Sequence, residues 1–282
     1  MQTKEIDIRD FLDARIEHFH DRSIRRLFEN KENIRGLIEI IATDLAEHID
    51  FSQLAPISRS FIPETLRERE ADIVFRVPFE APGHPGELLI YILIEHQSSV
   101  DETMGFRVLL YMLLIWEAHY RQWTTTQVPK NERRLPPILP IVFYTGEGRW
   151  QTPLTLEAIM DVPEALSRFV PTFDTLFLSV KETEAATLTK TGHPLGWLLT
   201  VLQQEKADKT VLSRALVEAV SQLEALDSVE RAQRREAIVY LLLLILHRRP
   251  VEEHRELVTL VDEYTSDMEV ETMAQSMAEV LI

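Results

Sequence analysis

The chain of 282 residues contains no cysteine. Disulfide bonds, thiolate nucleophiles and zinc sites of the cysteine type are therefore excluded. The composition suits a reducing compartment, and we expect a cytoplasmic protein. Long hydrophobic runs are also absent, because the longest, Ala237–Leu246, is about half of the roughly 20 residues that a membrane-spanning helix needs. The first twenty residues show no signal-peptide pattern, and we expect no association with a membrane.

Several motifs that indicate a particular chemistry are missing as well. The sequence has no phosphate-binding loop of the Gly-Lys-Ser type, no dinucleotide fingerprint and no HExxH pair. It has no nucleophile elbow, and its nine histidines are scattered without an evident metal-binding spacing. The sequence therefore gives no indication of these chemistries.

Negative charge exceeds positive charge, since 46 Asp and Glu against 30 Lys and Arg give a net charge of −16. That balance argues against general coating of nucleic acid. Residues 151–282 hold 22 acidic and 12 basic groups, which is 10 of the 16 excess charges. Two basic groups are candidate phosphate contacts, although a solvated surface is the favoured interpretation of each: Arg22, Arg25 and Arg26, and Lys130, Arg133 and Arg134.

The order of the predicted elements indicates a mixed α/β core. Asn33 is the expected N-cap of a helix that reaches His48. A long helix, Thr103–Gln122, follows an N-cap at Asp101, and its predicted apolar face consists of Phe106, Leu109, Leu110, Leu113 and Trp116. Short apolar runs at 138–144 and 175–180 predict strands. Beyond about residue 181 the pattern is helical, near 194–205, 209–226, 229–247, 251–265 and 268–281. We therefore predict a core over 1–180 and an acidic helical region over 181–282.

Two candidate strands, 71–79 and 88–94, flank a segment rich in proline and glycine, 80–87. If they pair symmetrically about that turn, residues whose numbers sum to 167 lie opposite each other. Asp72 then faces Glu95, so two carboxylates converge on one place. Glu95 and Gln97 are two residues apart on a strand and project to the same side.

Carboxylates at strand ends are suitable ligands for a divalent cation, because Mg²⁺ is usually held by one or two of them together with substrate phosphates. Such a cation generates hydroxide and stabilises charge on a phosphodiester. Gln97 is the candidate for orienting the attacking water or contacting a phosphate oxygen. The alternative interpretation is that Asp72 and Glu95 cap strand ends in solvent. The strongly apolar strand before Glu95 favours a place at the rim of a core.

Several separate blocks occur in the order found in the Rpn family of recombination-promoting nucleases, also described as YhgA-like "putative transposases". The resemblance covers about residues 20–150. The matching blocks are Asp72–Val77, Leu93–Asp101, Met104–Met112 and Pro140–Gly146, followed by Trp150.

The resemblance implies a PD-(D/E)XK nuclease-like fold, with a mixed central sheet flanked by helices, and metal-dependent cleavage of DNA. It places the metal-binding aspartate and glutamate of that superfamily on Asp72 and Glu95, and the usual lysine on Gln97. The implied cofactor is Mg²⁺, or Mn²⁺ or Ca²⁺ in its place. Asp21, expected just before the first helix, is a candidate third acid, with a helix N-cap as the alternative. Arg107 and Tyr144 match family blocks and are interpreted as packing residues.

Two functions from different classes follow. The first is a magnesium-dependent DNA endonuclease with Asp72, Glu95 and Gln97 as its catalytic residues, which would cut both strands as a homodimer. The second is an inactive nuclease fold that serves as a protein-interaction module, suggested by the missing lysine and the acidic C-terminal region. A transposase in the strict sense needs a catalytic triad, which the sequence does not show.

Overall fold

The structure, a computed structural model, describes residues 19–57, 73–80, 88–226 and 231–265. Their contacts divide them into two compact units. One consists of residues 41–183, and the other combines 19–40 with 184–265. The N-terminal helices thus group with the C-terminal helices, which the predicted division into 1–180 and 181–282 does not anticipate. As a division into functional modules, that boundary stays a prediction.

The helices are α1 Phe19–Glu29, α2 Lys31–Ile41, α3 Thr43–Ala46, α4 Met104–Thr125, α5 Ala185–Thr189, α6 Pro194–Gln203, α7 Lys209–Glu224, α8 Arg231–Arg248 and α9 Val251–Glu263. The strands are β1 Ala55–Pro56, β2 Ile73–Phe79, β3 Leu88–Gln97, β4 Ile138–Tyr144 and β5 Leu176–Ser179. Short 3₁₀ turns lie at Phe51–Gln53, Lys130–Glu132, Glu157–Ile159 and Glu164–Phe169.

The five strands form one mixed sheet within the unit 41–183, in the order of the sequence. Strands β1, β2 and β3 are antiparallel, whereas β3, β4 and β5 are parallel. A parallel pair requires a crossover connection, and the long helix α4 provides it between β3 and β4. The α/β class with a mixed sheet and flanking helices, predicted from the sequence, is confirmed.

The predicted hairpin register is confirmed wherever the structure describes both strands. Ile73 pairs with Ile94 and Phe79 with Leu88, and both sums are 167. Asp72 lies outside the described residues, so its pairing with Glu95 stays a prediction. Strand β3 continues to Gln97 rather than ending at residue 94, because its last residues pair with β4.

Helix α4 covers one face of the sheet. Tyr91 and Leu93 of β3 project from that face and join a buried cluster with Val108, Tyr111 and Ile115 of the helix. Side chains two apart along a strand share a face. The same side of β3 therefore presents Glu95 and Gln97 toward the beginning of α4.

The predicted apolar face of this helix is wrong in its main members. Phe106 and Leu113 are each 50% exposed and Leu110 is 38% exposed, whereas Met104 and Met112 are buried. The helix carries more than one apolar stripe, so the 3.6-residue period fits two faces and cannot choose between them. Packing against the sheet makes that choice.

The predicted start of the helix after residue 30 also needs correction. Helix α2 begins at Lys31, and the capping oxygen belongs to Asn30, whose Oδ1 accepts from the Glu32 amide at 2.9 Å. Asn33 lies inside the helix and donates from Nδ2 to the Leu27 carbonyl at 2.8 Å. Its buried amide therefore ties α2 to α1. The helix ends at Ile41, not His48.

Helices α6 to α9 lie where the sequence predicts helices, and the predicted segment 268–281 lies outside the described residues. The apolar run 237–245 in α8 is buried along its whole length. Helix α7 has Asp208 as its N-cap, whose Oδ1 accepts from the Thr210 amide at 2.9 Å. In the described part of the chain, no helix has both the length and the apolar composition to cross a bilayer.

Candidate active site

Glu95 is a fully buried carboxylate near the end of a central strand. It lies on β3 opposite Val142 of β4, in a strand whose preceding residues, 90–94, are all buried and apolar. Burying a charge is costly unless it is paired or bound to a metal. The position of Glu95 therefore has to be explained by its partners.

Both donors that reach Glu95 converge on the same oxygen. Gln97 donates from Nε2 to Glu95 Oε1 at 2.7 Å, and Arg107 Nη2 donates to that same atom. The other oxygen, Oε2, is buried and has no hydrogen-bond partner among the described residues. The prediction that Glu95 and Gln97 project together is confirmed. The carboxylate has one oxygen occupied and one available.

Arg107, in the first turn and a half of α4, divides its guanidinium between two carboxylates. Nη1 donates to Asp101 Oδ2 at 2.6 Å, while Nη2 also reaches the Tyr111 hydroxyl at 3.3 Å. Burial acts to lower the pKa of Arg107, but the hydrogen bonds to Asp101 and Tyr111 outweigh it and the pKa is raised. The side chain is thus a fixed cation beside Glu95.

Asp101 lies in the turn between β3 and α4 and holds Arg107 from the far side. Its Oδ1 accepts from the Thr103 amide at 2.8 Å and from the Thr103 hydroxyl at 2.7 Å. Burial acts to raise the pKa of Asp101, but hydrogen bonds from Thr103 and Arg107 prevail and the pKa is lowered. The predicted N-cap is therefore displaced, since Thr103 is the cap residue of α4 and Asp101 braces the turn before it.

A hard divalent cation fits the chemistry that the described residues offer, but only in part. An unpartnered, buried carboxylate oxygen is the kind of ligand that Mg²⁺ or Mn²⁺ takes, and Glu95 Oε2 is one. Within the described residues there is no group of three or more His, Cys, Asp or Glu side chains that could hold a metal ion. A complete ligand set needs a further acid, and the predicted one, Asp72, lies outside the described part of the chain.

The other predicted site residues are not brought to Glu95 by any contact that the structure describes. Asp21 lies within α1 rather than before it, and the side chains of Asp21 and Arg22 lie outside the description. Arg26 forms an ion pair with Glu29 at 2.7 Å, and Arg25 is partly buried. A contact between these arginines and phosphate stays a prediction.

The basic loop before β4 uses its arginines partly within the loop. Arg133 donates from Nε to the Val128 carbonyl at 3.1 Å, and Arg134 donates from Nη1 to the Arg133 carbonyl at 2.8 Å. Arg134 and Lys130 are exposed. Their predicted role with phosphates remains untested by this geometry.

Tyr144 closes β4 within an aromatic cluster. Its ring meets Trp150 edge to face at 5.0 Å and stacks at 6.4 Å on Phe177, and its hydroxyl donates to the Gly148 carbonyl at 2.6 Å. Burial, followed by the nearby Glu182, raises the pKa of Tyr144. These contacts agree with the interpretation of Tyr144 as a packing residue.

Arg107 is the site residue that sequence reasoning undervalues. The sequence pattern favours a packing role, but the side chain contacts Glu95 directly. A cation one turn into the helix that directly follows an acid-bearing strand is the available signal. The pattern of apolar residues gives no way to decide which side of α4 faces that acid.

Comparison with known proteins supports the resemblance seen in the sequence. The family described as "putative transposase, YhgA-like" matches residues 18–237, which is well over half of the chain. The chain belongs to this family. No solved structure matches it, so the assignment to the PD-(D/E)XK superfamily remains a prediction.

Curated relatives include both nucleases and proteins named inactive. Recombination-promoting nuclease RpnC of Escherichia coli K12 is 32% identical over 130 residues, which are 46% of this chain and 39% of RpnC. RpnD of E. coli O157:H7 is 31% identical over 128 residues, 45% of each chain. RpnE of E. coli K12, named an inactive nuclease-like protein, is 29% identical over 129 residues, 45% of this chain and 39% of RpnE. The chain thus spans less than half the length of these relatives. A nuclease or recombination role is supported at the level of the family.

Proposed function

We propose that this protein is a metal-dependent DNA endonuclease that hydrolyses phosphodiester bonds and promotes recombination. The observation that carries the proposal is the buried carboxylate of Glu95, which has one oxygen held by two donors and the other without a partner among the described residues. The relatives named recombination-promoting nucleases support the same activity.

In this proposal Glu95 Oε2 and Asp72 hold a Mg²⁺ ion, with Mn²⁺ or Ca²⁺ as substitutes. When bound, the cation neutralises charge on the phosphodiester and lowers the pKa of a coordinated water. Gln97 has its amide nitrogen engaged with Glu95, which leaves its carbonyl oxygen as an acceptor. That oxygen is suited to orient the attacking water. A homodimer, which brings two sites to the two strands, belongs to the same proposal.

Nicking of supercoiled plasmid tests the activity. The parent, Glu95→Gln and the control Glu117→Gln are each incubated with Mg²⁺, Mn²⁺ or EDTA. Glu117 lies on α4 and is paired at the surface with Arg121 at 2.7 Å, so its variant makes the same chemical change away from the site. We expect nicking that requires the metal, persists in Glu117→Gln and falls by at least about 10²-fold in Glu95→Gln. Nicking that survives in Glu95→Gln would sink the proposal.

The second candidate function is an inactive nuclease fold that acts as a protein-interaction module. A relative named inactive has nearly the same identity as the relatives named nucleases, and Gln97 supplies no positive charge. If purified protein shows no nicking with any metal and calorimetry detects no binding of Mn²⁺, this second function replaces the first.

A further inference from the structure

We propose that Arg107 is the positioning residue of this site and that Asp101 fixes the orientation of its guanidinium. This inference rests on the proposed function. Arg107 binds one oxygen of Glu95, so that the other oxygen is left for the metal. Asp101 holds Nη1, so that the two amino groups of the guanidinium cannot both bind Glu95. The pair thus determines whether Glu95 is available as a ligand.

The contacts of Arg107 fix the guanidinium in one orientation. Its Nη1 donates to Asp101 Oδ2 at 2.6 Å. Its Nη2 donates to Glu95 Oε1 and also to the Tyr111 hydroxyl, which lies 3.3 Å from Nη2. A planar guanidinium whose two amino groups have separate partners has little rotational freedom. Only 18% of the side chain is exposed, so water competes weakly for these donors.

The two donors on Glu95 leave only one oxygen for a metal. Gln97 and Arg107 both reach Oε1, and Oε2 is buried without a partner among the described residues. A buried anion needs a paired cation, and Arg107 is the cation that the described structure places on Glu95. Because it binds one oxygen rather than two, it stabilises the carboxylate without occupying the ligand atom.

Asp101 prevents Arg107 from pairing with both oxygens of Glu95 through its two amino groups, because Nη1 is engaged with Asp101; the third donor, Nε, is buried without a partner among the described residues. Arginine and carboxylate commonly pair through two parallel hydrogen bonds. Here Arg107 Nη1 donates to Asp101 Oδ2. Asp101 Oδ1 in turn accepts from the Thr103 amide at 2.8 Å and from the Thr103 hydroxyl at 2.7 Å. If the hydrogen bond between Nη1 and Asp101 is removed, the guanidinium is free to rotate onto both oxygens of Glu95 and to block Oε2.

Calorimetric titration of the protein with Mn²⁺ in the absence of DNA tests this directly. Arg107→Gln is expected to weaken Mn²⁺ binding by about 10–100-fold, the usual effect of losing a group that orients a metal ligand. Arg107→Lys is expected to lie between the parent and Arg107→Gln. The matched control is Arg121→Gln, an exposed arginine of the same helix paired with Glu117, which should bind Mn²⁺ like the parent.

Chemical rescue separates positioning from general support of the fold. In Arg107→Ala, a low concentration of guanidinium chloride is expected to restore part of the Mn²⁺ affinity, whereas the same concentration of sodium chloride is not. A residue that only supports packing would lower the melting temperature and leave the dissociation constant for Mn²⁺ unchanged, and that result would overturn the inference.

Asp101→Asn provides a second variant if Arg107 variants fail to fold. It retains Arg107 and the acceptor for Thr103 but replaces Oδ2 by an amino group, so Mn²⁺ binding should weaken although Glu95 and Arg107 are both present. Normal Mn²⁺ binding in Asp101→Asn overturns the role of Asp101.

If Glu95→Gln abolishes Mn²⁺ binding but Arg107→Gln does not change it, only this inference fails. If the parent binds no Mn²⁺, the proposed function fails together with it.

Discussion

At the scale of single residues, burial decides which side chains titrate unusually. His193 precedes α6 and accepts from the Leu195 amide at 3.1 Å through Nδ1, so it caps the helix with its neutral ring. Burial lowers the pKa of His193 to about 4, while nearby Glu39 raises it and nearby Arg35 lowers it by smaller amounts. An imidazole that must stay neutral links folding to pH.

We expect His193 to make the protein less stable as the pH falls from about 6.5 to about 4. Above 6.5, the usual histidine pKa, neither the folded nor the unfolded state binds the proton. Below it, only the unfolded state does, so the free energy of unfolding decreases by about 1.4 kcal/mol per pH unit. His193→Asn retains a capping acceptor and removes the titration. Urea unfolding of both proteins at several pH values should show their stability difference changing by roughly 3 kcal/mol over this window, and a constant difference would contradict the assignment.

A second prediction at this scale concerns the ion pair of Glu205 with Arg248. Glu205 is buried, and both of its carboxylate oxygens accept from Arg248 at 3.0 Å. Removing one partner leaves a buried charge, so Arg248→Met should cost about 3–5 kcal/mol of stability. Lys209→Met, which breaks an exposed pair with Glu256, should cost at most about 1 kcal/mol. Denaturant unfolding compares the two variants, and equal losses would show that burial is not the cause.

At the scale of elements, the pairing of the strands is predictable and the face of α4 is not. The register of β2 and β3 agrees with symmetric pairing about the segment rich in proline and glycine, so the amino-acid sequence alone is enough to derive it. The orientation of α4 depends on which apolar stripe packs better on Tyr91 and Leu93, and the sequence contains no local signal for that choice. The contact between Arg107 and Glu95 cannot be predicted for the same reason, because the two residues lie on either side of a turn and their contact depends on how the helix is rotated.

The rotation of α4 can be tested by comparing two apolar residues that are adjacent in sequence. Met112→Ala removes a buried side chain and should cost about 2–5 kcal/mol. Leu113→Gln changes a residue that is half exposed and should stay within about 0.5 kcal/mol. Thermal or denaturant unfolding distinguishes them, and the reverse order of stability would place the predicted face, not the observed one, against the sheet.

Close packing at the beginning of α4 adds an independent check on this element. A Cβ atom at Gly105 would lie 2.8 Å from the Thr155 carbonyl oxygen, which is closer than a methyl group and a backbone oxygen approach. Gly105→Ala should therefore destabilise the protein by about 1–3 kcal/mol, although alanine is the better helix former. The contrasting site is Gly148, where the nearest atom would be 3.5 Å away, so Gly148→Ala should be close to neutral. Urea unfolding of both variants measures the difference.

At the scale of the whole molecule, the net negative charge of the protein repels DNA, the proposed substrate. The net charge is −16, so binding of DNA must depend on local cations and not on the average field. Arg107 is engaged with Glu95 and Asp101, which leaves the exposed side chains of the loop before β4, Lys130 and Arg134, as the better candidates for phosphate contacts. Composition alone argues against general coating of DNA but does not identify which cations remain exposed.

Salt dependence of DNA binding measures those contacts. The measurement uses the Glu95→Gln protein, which should bind DNA without cutting it. The slope of log K against log salt concentration counts the phosphates that are neutralised, at about 0.9 per contact on duplex DNA. Arg134→Gln should reduce the slope by about one and weaken binding uniformly across DNA sequences. Arg121→Gln makes the same change of charge within an existing ion pair and should leave the slope unchanged. Equal effects of the two variants would mean that only net charge matters, and the basic loop would then have no specific part in binding DNA.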